Sequence, residues 1–560
     1  MRELSLFLAG SAGEGIQTIG NAVARCFLRH GYPAFVVNEF ESRIRGGNSS
    51  MRIRVANEPQ NAPIEAADVL LAVNPAALAH YRPALRETGL LISAGSPEDR
   101  NGNEYDHLRI PFLDLAIDKG GSKLYGNAVA AGALCAAVGL PVSLLESVLT
   151  DAFSSKGDEV ISGNVVAARA GFEEASRQLG DRRVAEIPSR DRRFAFANVH
   201  ETIPIGAAAA GCRFMAAYPM SPSTSIITAF ARQSKLGVFT EQAEDEIAAI
   251  NMCLGASAAG ARAMTATSGG GFALMTESLS LAGMIETPIV VLIAQRPGPA
   301  TGLPTRTAQE DLLFALHAGH GEFPRAILAP SDPQNAMELT VRAFDLAERY
   351  QIPVILLTDQ YLADGRFSLE SLSLPTEEVV SYLADPSTLE TYERYRWTED
   401  GISPRLALGQ SEHFIVLDSD EHTEAGHITE DLSQTRPAMV EKRLEKGRRL
   451  RLAMAQPASN GTEEADLVLI GWGSTKGAID EAVEQLRAAG QSVGSLHFHE
   501  VWPLPEIPFR DNTRYWVVEG NATGQFARLL EVEAGLPIEG RIGRYDGLPI
   551  TAERILEELA

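Results

Sequence analysis

Three polar residues stand beside apolar sequence in positions that suit ligand chemistry. Ser221 lies in Tyr218-Pro219-Met220-Ser221-Pro222-Ser223-Thr224, where Pro219 and Pro222 fix their own φ and force the preceding residues extended. A hydroxyl held in so rigid a turn before a helix is placed to bond a ligand; the plainer use of the turn is a helix cap from Ser223 or Thr224. Glu246 ends Glu244-Asp245-Glu246 and precedes Ile247-Ala248-Ala249-Ile250. Acids are favoured at a helix N-terminus in any case, yet an acid against a small apolar face also suits a cleft. Arg296 follows the apolar run 289–294 and precedes Pro297-Gly298-Pro299-Ala300-Thr301-Gly302. The end of a core strand is where α/β sites place anion-binding groups, and a guanidinium there holds a carboxylate through two hydrogen bonds.

A glycine loop, Gly10-Ser11-Ala12-Gly13-Glu14-Gly15, joins an apolar strand to a helix and forms an anion site from backbone N–H groups. Its order is Gly-x-x-Gly-x-Gly, not the Gly-x-Gly-x-x-Gly of dinucleotide folds. Glu39 ends the next strand, where a ribose-binding acid stands in such folds. Ser42-Arg43-Ile44-Arg45-Gly46-Gly47-Asn48-Ser49 follows it. Two arginines there suit a phosphate-bearing ligand or an intersubunit contact better than a ribose diol. A structural turn with solvated arginines is the alternative.

The elements that position these groups read as α/β throughout. Strands at 4–9, 34–37, 51–55 and 69–73, with helical spacing at Ile16, Ile19, Val23 and Phe27 and again over 166–179, predict a parallel doubly wound sheet over residues 1–190. The charged stretch 180–193 reads as a linker. A second α/β unit, 197–375, carries strands at 214–218, 263–266, 287–294, 326–328 and 353–358 and helices at 226–230 and 244–259. Ser268-Gly269-Gly270-Gly271 reads as a glycine turn. Residues 376–450 read as polar and irregular. A last unit, 455–560, has strands at 466–471, 495–498 and 515–518 and a helix at 478–489. The fold class is α/β with several doubly wound domains.

At 560 residues the chain holds three or four domains, and 49 basic against 73 acidic residues give a net charge of −24. That surface repels phosphate backbones and anionic lipids, which argues against nucleic-acid and membrane partners. No apolar run is long enough for a bilayer, and the N-terminal apolar stretch is too short for a signal peptide, so a cytoplasmic chain is expected. Cys26, Cys135, Cys212 and Cys253 are scattered through apolar, helical-looking sequence, without the spacing of a zinc or iron–sulfur site. They read as small core residues. The stretch Asp418-Ser419-Asp420-Glu421-His422-Thr423-Glu424-Ala425-Gly426-His427 is acidic and bears histidines, but no metal is assigned to it.

Tyr218 to Ser223, Glu244-Asp245-Glu246, and Gln295-Arg296-Pro297-Gly298-Pro299-Ala300-Thr301-Gly302-Leu303-Pro304-Thr305 resemble the α subunit of 2-oxoacid:ferredoxin oxidoreductases. The resemblance covers the whole chain. It is most similar to the 2-oxoglutarate enzymes in which a γ domain, here residues 1–190, is fused ahead of α. The resemblance implies a pyrimidine-binding-type domain at 197–375 of the kind found in thiamine diphosphate enzymes, a connecting segment at 376–450 and a transketolase C-terminal-like domain at 455–560. It implies thiamine-diphosphate-dependent, CoA-dependent oxidative decarboxylation of 2-oxoglutarate to succinyl-CoA, with electrons passing to ferredoxin. In reverse this is a carbon-fixing step of the reductive TCA cycle.

Residue by residue, the resemblance implies that Glu246 is the acid on the thiamine aminopyrimidine and that Arg296 holds the substrate 1-carboxylate. Ser221 stands where many relatives have threonine. Thr305 and Arg306 lie by the substrate side chain, Ser268 and Gly269 by the cofactor, and Ser42, Arg43, Arg45 and Asn48 toward coenzyme A. His497, His499 and Glu500 are expected to pack rather than to catalyse. The chain has no Gly-Asp-Gly, so a β partner is implied that supplies the diphosphate site, Mg2+ and a 4Fe–4S cluster. The assembly implied is (αβ)2, active only with that partner and with ferredoxin docking on it. Two alternatives stand beside this: a sister enzyme for pyruvate, branched-chain or aryl-pyruvate acids, and a non-redox protein binding CoA or a nicotinamide on the N-terminal glycine loop.

Overall fold

The computed structural model describes residues 3–42, 46–95, 106–180, 182, 184–376, 378–507 and 509–560. It divides into two compact units.

The first unit comprises Met1–Ala197 with Asp364–Leu372 and Thr551–Arg554. Its six-stranded sheet runs, in spatial order, Ala34–Phe40, Gly46–Val55, Leu4–Ala12, Ala67–Ala72, Leu85–Ser93 and Asp106–Arg109. Leu4–Ala12 is apolar along both faces and lies inside the sheet, covered by the amphipathic helix Ile16–Arg29, whose Ile16, Ile19, Val23 and Phe27 are buried. The sheet is mixed rather than wholly parallel: Gly46–Val55 runs antiparallel to both of its neighbours. Only five residues separate it from Ala34–Phe40, too few for the crossover that a parallel pair needs. The charged stretch after residue 180 is pinned to this unit. Arg192 pairs with Glu58 at 2.8 Å and also with Glu370, and Arg190 lies 4.7 Å from the Tyr32 ring centre.

The second unit carries two sheets. The larger runs Glu500–Trp502, Ala326–Leu328, Pro353–Asp359, Ile289–Gln295, Arg262–Thr267, Cys212–Ala217 and Phe239–Gln242, parallel except at its first pair. Ile289–Gln295 and Pro353–Asp359 are buried along their whole length, as continuous apolar strands with both faces covered must be. The smaller sheet runs Ala458–Asn460, Val493–Phe498, Leu467–Trp472, Arg514–Glu519 and Gly540–Gly543. Cys212 opens a strand, unlike the helical setting expected for it; all four cysteines are free and buried.

Three local expectations are corrected. Ser268-Gly269-Gly270-Gly271 is no turn, because Gly269 begins the 16-residue helix Gly269–Met284. The helix expected to open at residue 244 begins later: Asp245 caps it and Glu246 is its first residue. Residues 376–450 are not irregular throughout, since 435–453 form a helix, Thr435–Ala453. Its buried stripe includes Lys442, Arg443 and Lys446 beside Met439 and Leu450, so no hydrophobic period announces it. Lys442 and Lys446 both pair with the wholly buried Glu286, at 2.6 and 2.8 Å.

Candidate active site

The strand Cys212–Ala217 runs into Pro219–Pro222 and then the helix Thr224–Arg232. Ser223 does not cap that helix; its buried hydroxyl donates back to the Met220 carbonyl at 2.7 Å and tightens the turn. Ser221 is thereby left at the surface, its carbonyl turned to Arg296, which donates to it from Nη1 at 2.5 Å.

Glu246 opens the helix Glu246–Ala258, whose N-cap Asp245 accepts from the Ala248 N–H at 2.7 Å. Glu246 is only 3% exposed, and among the described residues its Oε1 has no hydrogen-bond partner. A buried carboxylate oxygen left unpaired is costly. This one lies against the first turn of Gly269–Met284: a Cβ at Gly271 would stand 2.5 Å from Oε1 and 2.1 Å from Thr267 Oγ1. A Cβ at Gly269 would stand 2.6 Å from both carboxylate oxygens of Asp311. The missing side chains are therefore what admits two carboxylates to a helix N-terminus, where free N–H groups and the helix dipole favour negative charge. Ser268 Oγ is buried there and, among the described residues, also has no hydrogen-bond partner.

Arg296 begins a loop closed on itself. Gln295 Oε1 accepts from the Asp311 N–H at 3.0 Å, and Glu310 Oε2 accepts from the Gly298 N–H at 2.8 Å. Gln309 sews the loop to the smaller sheet. Its Nε2 donates to the Trp472 carbonyl at 2.9 Å, its N–H and Oε1 meet the Gly520 backbone at 2.7 and 2.8 Å, and its carbonyl accepts from Asn521 at 2.9 Å. Partial burial pulls the Arg296 pKa below its ordinary value, while the nearby Asp311 opposes that shift. Asp311 is pushed up to about 6, by burial first and Glu310 second, against the pull of Arg296.

Ser221 and Arg296 thus touch, and Glu246, Ser268 and Gly269 gather at one helix N-terminus. Asp311 links the two groups, lying on Gly269 and at the close of the Arg296 loop. Thr305 and Arg306 are half-buried in that same loop, with Arg306 beside Gly547. In the first unit Ser42 is exposed, and Asn48 donates to Glu41 Oε1 at 3.2 Å. Arg43 and Arg45 lie outside the described residues. Glu39 is engaged by Arg52 at 2.8 Å. His422 is buried and stacks on Tyr395 at 3.7 Å between ring centres. Among the described residues no group of His, Cys, Asp and Glu is arranged to hold a metal ion, and no helix is long and apolar enough to cross a membrane. His497 and His499 are packed 4.9 Å apart, and Glu500 accepts from Arg342 Nε at 2.9 Å. Asp311, Gln309 and Thr267 were not singled out from the sequence. An acid and an amide closing a Gly/Pro-rich loop carry no signal until the loop's partners are known.

The pattern meets known proteins across its length. Residues 205–442 match the family described as pyruvate flavodoxin/ferredoxin oxidoreductase, thiamine diP-bdg, and residues 5–174 match pyruvate ferredoxin/flavodoxin oxidoreductase. The chain is 30% identical to the 2-oxoacid:ferredoxin oxidoreductase 2 alpha subunit of Aeropyrum pernix, over 100% of this chain and 98% of that one. It is 34% identical to the 2-oxoglutarate synthase subunit KorA of Methanothermobacter thermautotrophicus, over 59% of this chain and 89% of that one. Among solved structures it is similar to the 2-oxoglutarate:ferredoxin oxidoreductase from Magnetococcus marinus with 2-oxoglutarate, coenzyme A and succinyl-CoA bound. The TM-score is 0.92 at 31% identity, covering 100% of this chain and 99% of that one.

Proposed function

Because the chain belongs to the 2-oxoacid:ferredoxin oxidoreductase family as an alpha subunit, we propose that it builds the acid and substrate-carboxylate side of a thiamine diphosphate site that converts 2-oxoglutarate and CoA to succinyl-CoA. The observation that carries the reading is Glu246, a buried acid with a free Oε1 beside a Cβ-less helix turn. An unpaired carboxylate oxygen fits the ring nitrogen of an aminopyrimidine. Bound there, thiamine diphosphate supplies the electron sink that lets a 2-oxoacid lose CO2. Glu246 Oε1 would share a hydrogen bond with that ring nitrogen, Ser268 would offer a second polar contact, and Gly269 would let the cofactor's side of the site close in. Arg296 takes the substrate 1-carboxylate, and its bond to the Ser221 carbonyl fixes the guanidinium. Thr305 and Arg306, in the same loop, are proposed to meet the substrate side chain.

Ile247, next to Glu246, and Leu274, in the helix that Gly269 opens, are half-exposed apolar residues. We propose that this face meets the β partner, which brings the diphosphate site, Mg2+ and a 4Fe–4S cluster, in an (αβ)2 assembly in the cytoplasm. Ferredoxin docks on that partner, since a net charge of −24 repels an acidic carrier. In this reading 1–190 is the γ-type, CoA-side domain with Ser42, Arg43, Arg45 and Asn48 toward CoA. Residues 197–375 are the pyrimidine-type domain, and 455–560 the transketolase C-terminal-like domain. The choice of 2-oxoglutarate rests on what the KorA relative and the Magnetococcus marinus enzyme act on.

The test is anaerobic co-expression with a β subunit and a CoA-dependent assay with viologen as acceptor. Turnover of 2-oxoglutarate that needs both chains supports the reading. Activity confined to pyruvate or a branched-chain acid keeps the chemistry and overturns the substrate. No turnover of any 2-oxoacid overturns the reading.

A further inference from the structure

Asp311 lies between the two halves of the site. Its backbone is fixed by Gln295, whose own Nε2 donates to the Thr358 carbonyl at 3.3 Å, and its carboxylate rests on Gly269. Yet among the described residues no hydrogen bond or ion pair reaches that carboxylate, although the Arg296 guanidinium attracts it. The other charged group that acts on it is an acid, its chain neighbour Glu310.

The 1-carboxylate of a 2-oxoacid placed on Arg296 is one more anion in this cluster. With Asp311 ionised, the single charge of Arg296 is already offset and the substrate meets a carboxylate at short range in a half-buried site. With a proton on Asp311, the guanidinium is left to the substrate. Resting on the function proposed above, we propose that Asp311 is a positioning residue that must be neutral when the 2-oxoacid binds, so that substrate binding takes up a proton. Burial and Glu310 already push the free group up to about 6, and a substrate carboxylate on Arg296 pushes it further the same way.

The experiment is the KM for 2-oxoglutarate from pH 5.5 to 8 in the αβ holoenzyme, for wild type, Asp311→Asn and Asp311→Glu. Wild-type KM rises with pH above the free pKa, by at most about tenfold per pH unit. Asp311→Asn removes the slope, and Asp311→Glu, which still titrates, keeps one. An unchanged slope in Asp311→Asn, or a flat wild-type profile, overturns the proposal. If the variants do not fold, calorimetric binding of 2-oxoglutarate to wild type at pH 7 in two buffers of different ionisation enthalpy decides it: proton uptake supports it, and none overturns it. A wild-type enzyme that turns over 2-oxoacids with a flat KM defeats this inference alone. One that turns over none defeats the underlying function as well.

Discussion

Arg296 donates from Nη1 to the Ser221 carbonyl at 2.5 Å, bridging 75 residues of chain. The guanidinium is thus anchored by an uncharged backbone acceptor, which orients it without neutralising it. What offsets its charge is the nearby Asp311 carboxylate.

Arg296→Ala is expected to raise the KM for the 2-oxoacid far more than it lowers kcat, with a cost of roughly 2–5 kcal/mol in kcat/KM. Arg296→Lys recovers only part, because an ammonium cannot hold both the Ser221 carbonyl and a carboxylate in one plane. Steady-state kinetics on the holoenzyme checks both; equal KM in wild type and Arg296→Ala removes Arg296 from substrate binding.

Glu246→Gln is expected to abolish decarboxylation while the chain stays folded and still assembles with its partner. Gly271→Ala tests the same geometry from the other side, since its methyl would stand 2.5 Å from Glu246 Oε1 and 2.1 Å from Thr267 Oγ1. It is expected to lower kcat as the carboxylate is displaced. Near wild-type turnover in either variant sinks the role given to Glu246.

Glu286 is wholly buried; burial alone would raise its pKa, but Lys442, Lys446 and Arg394 outweigh burial and hold it well below the usual carboxylate range. Glu286→Gln strands two buried lysines and is expected to cost roughly 3–5 kcal/mol of stability. The depressed folded pKa means that this stability is present above pH 4.5, the ordinary glutamate value, and is lost as pH falls below it. Denaturant titration at pH 7 and pH 4 reads both effects.

His200 is buried, bonded to Ser225 Oγ at 2.5 Å and Thr358 Oγ1 at 3.2 Å, and burial takes its pKa from 6.5 down to about 3. Below pH 6.5 the unfolded chain binds a proton that the folded one refuses. Stability therefore falls by roughly 1.4 kcal/mol per pH unit on this account, down to the folded pKa. His200→Gln is expected to flatten that part of the pH–stability curve; an identical slope in the variant would assign the loss elsewhere.

The buried strands were legible because apolar runs such as 289–294 admit little else, and Ser221, Glu246 and Arg296 stood out because each broke an apolar pattern. What could not be read were features defined by contact at a distance. The helix Thr435–Ala453 hid because its buried stripe is partly lysine, which makes sense only once Glu286 lies opposite. The glycines 269–271 read as a turn because glycine usually marks one. Their actual purpose, room for the Glu246 and Asp311 carboxylates, depends on residues far away in sequence. The antiparallel strand Gly46–Val55 hid in a pattern that otherwise alternates strand and helix.

Gln309 also bears on how such a chain can be rearranged in evolution. Through it, the loop that follows Arg296 in the larger sheet rests on backbone groups at residues 472, 520 and 521 of the smaller one. The unit of inheritance is therefore wider than a sheet. A gene split or a recombination joint placed between the two sheets trades away the footing of residues 297–310 along with the last domain. Exchange between paralogues should preserve substrate handling only when loop and footing travel together.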